Sequence, residues 1–495
     1  MELRFERVKI PVLADAVREV KHTELTQEVK LADGMPDIGR VLSCWGQIIL
    51  RSKEWNRDEI TVSGGVTVHT LYMPEDESEP RSVETWIPFQ LSWDVDQNLT
   101  EGHIRIMPLV RFVDGRCVSP RKMMIRLGIS AFCHGFSPTS MEITKIGELP
   151  EDVQILKRTY PALIPREAGE KTFLLDEELT VSESDPKVEK ILSATLHPEI
   201  TDRKVMRSRL VFKGNSNLHL VYRCPEGIIR TRDFEMPFSQ YGDLDQAHGP
   251  EARGDVVMGV TNLDLDVTAP DRLRLKAGMV AQYRIDDREI LEVAEDAYSP
   301  FRFVNPQRET LAIPSVLETR RETVHVRQEI PGMVDGAVDV TFYPDFPKVR
   351  RNGTNLDVEM PGQFAMLIQG EDGTLRGANA RWDGNISIPA DENTRLEVIP
   401  QILGQPGSEG TGADAKMEMQ LRSQAETMVP MVTGLELGEL AEPDPARPSV
   451  ILRRAGEDEL WQIAKENGST VEAIRKANSL TDEPEAERML LIPVA

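Results

Sequence analysis

The sequence predicts a mainly β protein: tandem β-sandwich-like domains followed by a small βααβ module. Three observations carry that reading. Motifs recur at a spacing of 150 residues. Within the recurring stretch, apolar and polar residues alternate with the period of two expected of half-buried strands. Few long stretches of helical spacing appear in the repeats, and the periodicity changes only beyond residue 448.

The repeat comes first. Arg40-Val41-Leu42-Ser43 returns as Lys190-Ile191-Leu192-Ser193. Pro36, Gly64, His69 and Tyr72 are matched by Pro186, Gly214, His219 and Tyr222. Pro120 and Gly128 are matched by Pro270 and Gly278, and Pro88-Phe89 by Pro237-Phe238 after a slip of one residue. Copies of this length are tandem domains, not turns of a short-period solenoid. Val66–Tyr72 and Leu218–Tyr222 alternate as strands, and Gly64-Gly65 and Gly214-Asn215 mark turns or bulges. Ile104–Val113 and Val256–Val267 alternate as well.

A third, divergent copy is read from Leu356–Met360, Gly362, Phe364–Ile368, Trp382 and Ile386–Pro389. In it Ala415–Met419 is matched to Arg121–Ile125, and Gln405–Gly412 is read as a hairpin loop. The expected organisation is therefore 1–160 (with an N-terminal extension), 161–300 and 301–440 as β domains, and 441–448 as a linker stiffened by three prolines. The module 449–495 closes the chain. There Val450-Ile451-Leu452 reads as a strand. Leu460, Trp461, Ile463 and Ala464 share a helical face, and Gly468 stops that helix. Thr470 caps a second helix carrying Val471, Ile474 and Ala477, and Met489–Pro493 is the return strand.

Composition narrows the function. The 58 Lys+Arg against 82 Asp+Glu leave a net charge of −24, which argues against nucleic acid and anionic membrane, since phosphate needs clustered cations. Four scattered cysteines without a CxxC pair read as a reducing compartment. Met1–Arg7 lacks an apolar signal core, and no apolar run reaches the ~20 residues of a membrane span. The expectation is a cytosolic chain.

Catalytic patterns are weak, and no enzyme, metal or cofactor is expected. Cys133-His134 is adjacent, so on a strand the two side chains point to opposite faces. His69 and His219 hold equivalent places in central strands, which reads as a structural role. No HExxH, Walker A, GxSxG or post-strand GxGxxG occurs. Trp45, Trp55, Trp86 and Trp93 crowd the first copy, as core or as an aromatic interface.

The run Leu460-Trp461-Gln462-Ile463-Ala464, then Thr470-Val471-Glu472, Ile474 and Asn478, closed by Leu491-Ile492-Pro493, resembles a LysM domain. The upstream copies, with their Pro-Asp…(Val/Ile)-Leu-Ser openings and Pro-Phe pairs, resemble the SPOCS domains of spore-coat morphogenesis proteins. Three such domains with a terminal LysM resemble the clostridial coat protein that docks on the coat-basement ATPase. This implies a non-enzymatic adaptor in the mother-cell cytoplasm at the forespore surface, tethering coat layers through its LysM domain. The LysM loops depart from the family: Glu457-Asp458-Glu459 and Glu487-Arg488 stand where small residues flank the sugar groove. Acidic side chains there favour a basic protein surface over an N-acetylglucosamine glycan, although peptidoglycan or cortex binding stays the alternative. The implied partner-binding residues are Asp458, Glu459, Trp461, Asn478, Glu487 and Arg488.

Overall fold

The computed structural model describes residues 4–76, 79–96, 99, 101–182, 185–314, 318–333, 336–370, 372–390, 395–424, 426–440, 448–455, 459–481 and 488–494. In the first copy the alternating runs become β1 (Phe5–Lys30), β2 (Ile38–Asn56), β3 (Glu59–Pro74), β4 (Arg81–Asp94), β5 (His103–Ser119) and β6 (Lys122–Ile146). They pair antiparallel in two open sheets, β1-β6-β5 and β2-β3-β4. One core lies between them, with Val62, Val66, Val68 and Trp93 from one sheet and Ile125, Leu127 and Ile129 from the other. Side chains of alternate residues supply each face, as the period-two pattern demands.

The second copy repeats this with β7 (Gln154–Thr180), β8 (Lys190–Met206), β9 (Arg209–Arg223), β10 (Ile229–Asp243), β11 (Arg253–Ala269) and β12 (Arg272–Tyr298). Its sheets are β11-β12-β7 and β10-β9-β8. The correspondence extends to irregularities. Register shifts at Val41/Ser43 and Leu50/Ser52 in β2 return at Ile191/Ser193 and Ile200/Asp202 in β8. A bulge leaves one residue unpaired and re-aims it. Here the re-aimed residues are Leu42 and Leu192, the leucines of the repeated motif. Both are buried, with Trp45, Leu71, Val221 and Leu367, in a cluster that joins all three copies.

The other repeated residues also have local physical jobs. Tyr72 donates its hydroxyl to the Pro36 carbonyl at 3.0 Å, and Tyr222 to that of Pro186 at 3.2 Å. Gly64 lies opposite Phe89 and Gly214 opposite Phe238, so the slip in the Pro-Phe pair falls in the strand connection and not in the ladder. A Cβ on Gly214 would overlap both the Glu199 carbonyl and the Phe238 ring.

The third copy keeps the pairing scheme with broken strands: β13 (Arg302–Pro314), β14 (Glu318–Glu329), β15 (Asp339–Pro344), β16 (Lys348–Asn352), β17 (Asn355–Gln369), β18 (Leu375–Pro389), β19 (Arg395–Glu409), β20 (Gly412–Gln424) and β21 (Glu426–Leu440). β15 and β16 share the edge of β17 that β2 takes on β3, and β18 pairs the other edge. β19 and β20 are joined at Gly410, in the left-handed region at φ 59°, so Gln405–Gly412 is a hairpin as read. One match is corrected. Ile330 bonds to the Thr411 carbonyl as Leu31 does to that of Arg121. Ala415–Met419 therefore corresponds to Ile125–Ile129, four residues along from Arg121–Ile125. Similar apolar spacing made either register fit the sequence.

The far ends of the long strands of all three copies meet in one further cluster, with Ile143, Ala162, Ile164, Val293, Ile313 and Met431. After the third copy come β22 (Val450–Arg454), α1 (Leu460–Asn467), α2 (Val471–Asn478) and β23 (Met489–Pro493), with β22 antiparallel to β23. Gly468, at φ 60°, ends α1, and the Thr470 hydroxyl accepts from the Ala473 amide at 3.1 Å to cap α2. Leu460, Ile463, Ile474, Leu490 and Ile492 form the core. Among the described residues no helix is long and apolar enough to cross a membrane.

Candidate functional site

The terminal module is seated on the second copy. Tyr298, at the end of β12, enters the module's core and donates its hydroxyl to the Ser469 carbonyl at 3.0 Å. Trp461 meets the Tyr298 ring edge-on at 4.8 Å, and its indole N–H donates to Asp296 at 2.9 Å. Lys465 pairs with Asp296 at 2.7 Å, and Glu459 pairs with Arg158 of β7. Two residues expected to face a partner are thus engaged within the chain. Asn478 fastens α2 to β23: its amide donates to the Leu491 carbonyl and accepts from the Leu491 amide at 2.8 Å. Arg488 donates to the Asn478 carbonyl at 3.2 Å. Asp458 and Glu487, with Glu457 and linker residues 441–447, lie outside the described residues.

The structure offers a different surface on the same module. Leu452 stands opposite Leu491, Val450 opposite Pro493 and Arg454 opposite Met489, so these side chains share the outward face of the two-stranded sheet. Val450, Leu452, Met489 and Leu491 are 49, 65, 55 and 43% exposed. The signal for it was in the sequence. Val450-Ile451-Leu452 and Met489–Ile492 are apolar without alternation, the mark of strands covered on both faces.

A second concentration of chemistry lies where the three copies meet. Arg105 and Asp255 hold equivalent places on β5 and β11, with opposite charge, and pair with each other. The third copy adds Arg422 and Glu397: Arg422 lies 2.5 Å from Asp255 and 3.1 Å from Glu397. Arg18 pairs with Glu397 at 2.9 Å. His134 accepts from Arg105 at 3.1 Å and donates its other N–H to Asp15 at 2.7 Å. Burial, against the pull of Asp15, holds the His134 pKa down at about 4. His219 goes the other way. Burial opposes its charge, but Asp233 at 2.6 Å and Asp339 at 2.7 Å outweigh that and raise it to about 9.

These shifts define a stability profile. An unfolded histidine titrates at about 6.5. Below that, the unfolded chain takes up a proton that buried His134 does not. Stability should fall from pH 6.5 toward 4. The proton held on His219 stabilises fully below pH 6.5 and is lost as pH rises through about 9. In urea titrations at stepped pH, His219→Gln should abolish the alkaline fall alone. A wild-type profile flat between pH 6.5 and 9 would contradict this.

The remaining candidates are structural. Cys133 lies in the first core, where burial pushes its thiol up to about 12, while His134 points to the ionic centre. The pair therefore cannot act as a dyad. His69 and His219 do lie on central strands, β3 and β9. Trp45 and Trp93 are fully buried, Trp55 donates to the Leu99 carbonyl at 3.1 Å, and only Trp86 of the four is exposed. The tryptophans do not form one surface. Among the described residues no His, Cys, Asp and Glu side chains are grouped to hold a metal.

The second copy decides the family relation. Residues 187–268 match the family model described as SipL, SPOCS domain. The chain carries a SPOCS domain. The matched SPOCS segment spans β8, β9 and β10 and all but the last residue of β11, the half of the copy that holds the bulged Leu192 and the Tyr222 tie. The SPOCS match suggests a sporulation-related role. None of the curated proteins and none of the solved structures compared with the chain matches it.

Proposed function

We propose that this chain is a non-enzymatic assembly adaptor of the spore coat. Its three β copies form a SPOCS-type scaffold. Its last module, of LysM type, docks a coat morphogenetic ATPase and so tethers coat layers to the forespore, within the mother-cell cytoplasm. The observation that carries this reading is the apolar outward face of β22 and β23. That face offers a protein partner burial at about 25 cal/mol per Å², and it has no aromatic ring on which a sugar could stack. The SPOCS match supplies the sporulation context. Seating the module on the scaffold holds docking face and scaffold at a fixed distance, which favours multivalent assembly.

The test is binding of the full chain to the purified coat ATPase. Leu452→Asp combined with Leu491→Asp should weaken binding at least tenfold, about 1.4 kcal/mol, with the unfolding transition unchanged because both side chains point outward. In sporulating cells, the chain lacking 449–495 should fail to reach the forespore. Undiminished affinity of the double variant would exclude this face. Co-sedimentation of the wild-type chain with insoluble peptidoglycan, without ATPase binding, would replace the adaptor reading by that of a glycan-binding envelope protein.

A further inference from the structure

The strands β5, β11 and β19 each turn one face to their own copy. Ile106, Val256 and Val398 point into those three cores. Their chain neighbours therefore point away from them. On one side the neighbours are Arg105, Asp255 and Glu397, in equivalent rungs opposite His134, Arg284 and Arg422, and they make the ionic centre. On the other side they are Met107, Val257 and Ile399, again in equivalent rungs, opposite Phe132, Gln282 and Gln420. This second, apolar layer does not close on itself. It lines a cavity of about 250 Å³, partly open to solvent, to which β2, β8 and β15 also contribute.

Met107, Val257 and Ile402 line this cavity and stay only partly buried although each lies within a strand. The polar groups in the wall are already served. Arg422, which the cavity shares with the ionic centre, is matched by Asp255 and Glu397. Gln47 donates to the Ile48 carbonyl and accepts from the Leu196 amide at 2.7 Å. His197, Glu199 and Arg203 also line the cavity, and all three keep contact with water. The wall therefore holds apolar surface facing water and no stranded charge. Covering that surface is favourable at about 25 cal/mol per Å². A charged occupant would shed its water with no counter-charge to meet it. Size limits the occupant too. An apolar cavity of about 150 Å³ accommodates benzene, so this one has room for roughly ten non-hydrogen atoms.

We propose that this cavity binds a small, neutral, apolar molecule, about the size of two fused rings, between Met107 of the first copy, Val257 of the second and Ile402 of the third. Because all three copies line the site, a bound molecule stabilises their packed arrangement. The inference goes beyond the adaptor reading and does not depend on it.

The test uses the full chain and indole as probe, by titration calorimetry at pH 7. One indole per chain should bind saturably and raise the unfolding temperature. Added salt should not weaken the binding, since no charge pairing is involved. The polyol inositol, of similar size but hydroxylated all round, should not bind. Val257→Trp and Ile402→Trp fill the cavity from the second and third copies, and each should weaken indole at least tenfold. Either one decides the matter should the other fail to fold. Leu174→Trp, on an exposed position of β7, should bind indole as the wild type does. No saturable heat with indole up to about 5 mM overturns the proposal, as does equal binding of inositol, loss of affinity in salt, or wild-type affinity in a folded Val257→Trp or Ile402→Trp chain.

Discussion

Asp255→Ala is expected to cost about 3–5 kcal/mol of unfolding free energy, the range for breaking a buried ion pair on one side. Asp255 is buried. Burial would raise its pKa, but the charges of Arg422, Arg105, Arg203 and Arg284 overcome that and hold it far below the usual carboxylate range. Removing it leaves Arg105 and Arg422 buried with Glu397 as their shared remaining anion. The loss should appear in urea denaturation followed by tryptophan fluorescence. Glu292→Ala, which breaks an exposed pair with Lys157, should leave the curve in place, because solvent screens such pairs. Superimposable curves for Asp255→Ala and wild type would mean that the ionic centre does not hold the copies together.

The second large effect is expected at Leu192. Its side chain is fully buried among residues of all three copies. Leu192→Ala removes that packing and leaves a cavity, at about 2–5 kcal/mol. Leu174, 63% exposed on β7, should tolerate alanine with little change. The comparison is pointed because both leucines sit in strands of the second copy, and only one is turned inward by a bulge. If Leu192→Ala unfolds with the wild-type midpoint, the repeated Leu-Ser motif has no role in joining the copies.

Much of this architecture was legible in the residues. Spacing announced the repeat, alternation the strands, and Gly468 with Thr470 the boundary between the helices. These signals are local: a strand's period, a cap or a left-handed glycine depends on neighbours in the chain. The divergent copy was less legible, because Ala415–Met419 alternates in a way that fits either of two registers. Trp461 and Glu459 were expected to face a partner protein. That Asp296, Tyr298 and Arg158 of the same chain engage them was not legible, since no local pattern links positions more than 160 residues apart.

The ionic centre shows the same limit. Arg105 and Asp255 stand 150 residues apart in equivalent strands with opposite charge, which hints at a pairing between copies. Nothing in the sequence says that Glu397 and Arg422 complete it, or that His219 is clasped by an aspartate of the third copy.

The sequence by itself determined the strands of the repeat and the caps of the two helices, but not the bulges, which fall in β2 and β8 and not at Gly64-Gly65 and Gly214-Asn215, where the ladders run on through β3 and β9. It also placed an excess of acid on the chain, with a net charge of −24. Only the tertiary structure decided which charges are spent internally, which face of the last module stays apolar and open, and which segments of the three copies meet. The physical reason is range. Backbone hydrogen bonding and side-chain period are set within a few residues. Desolvation and charge pairing depend on which distant segments meet, and that is settled only when the copies pack.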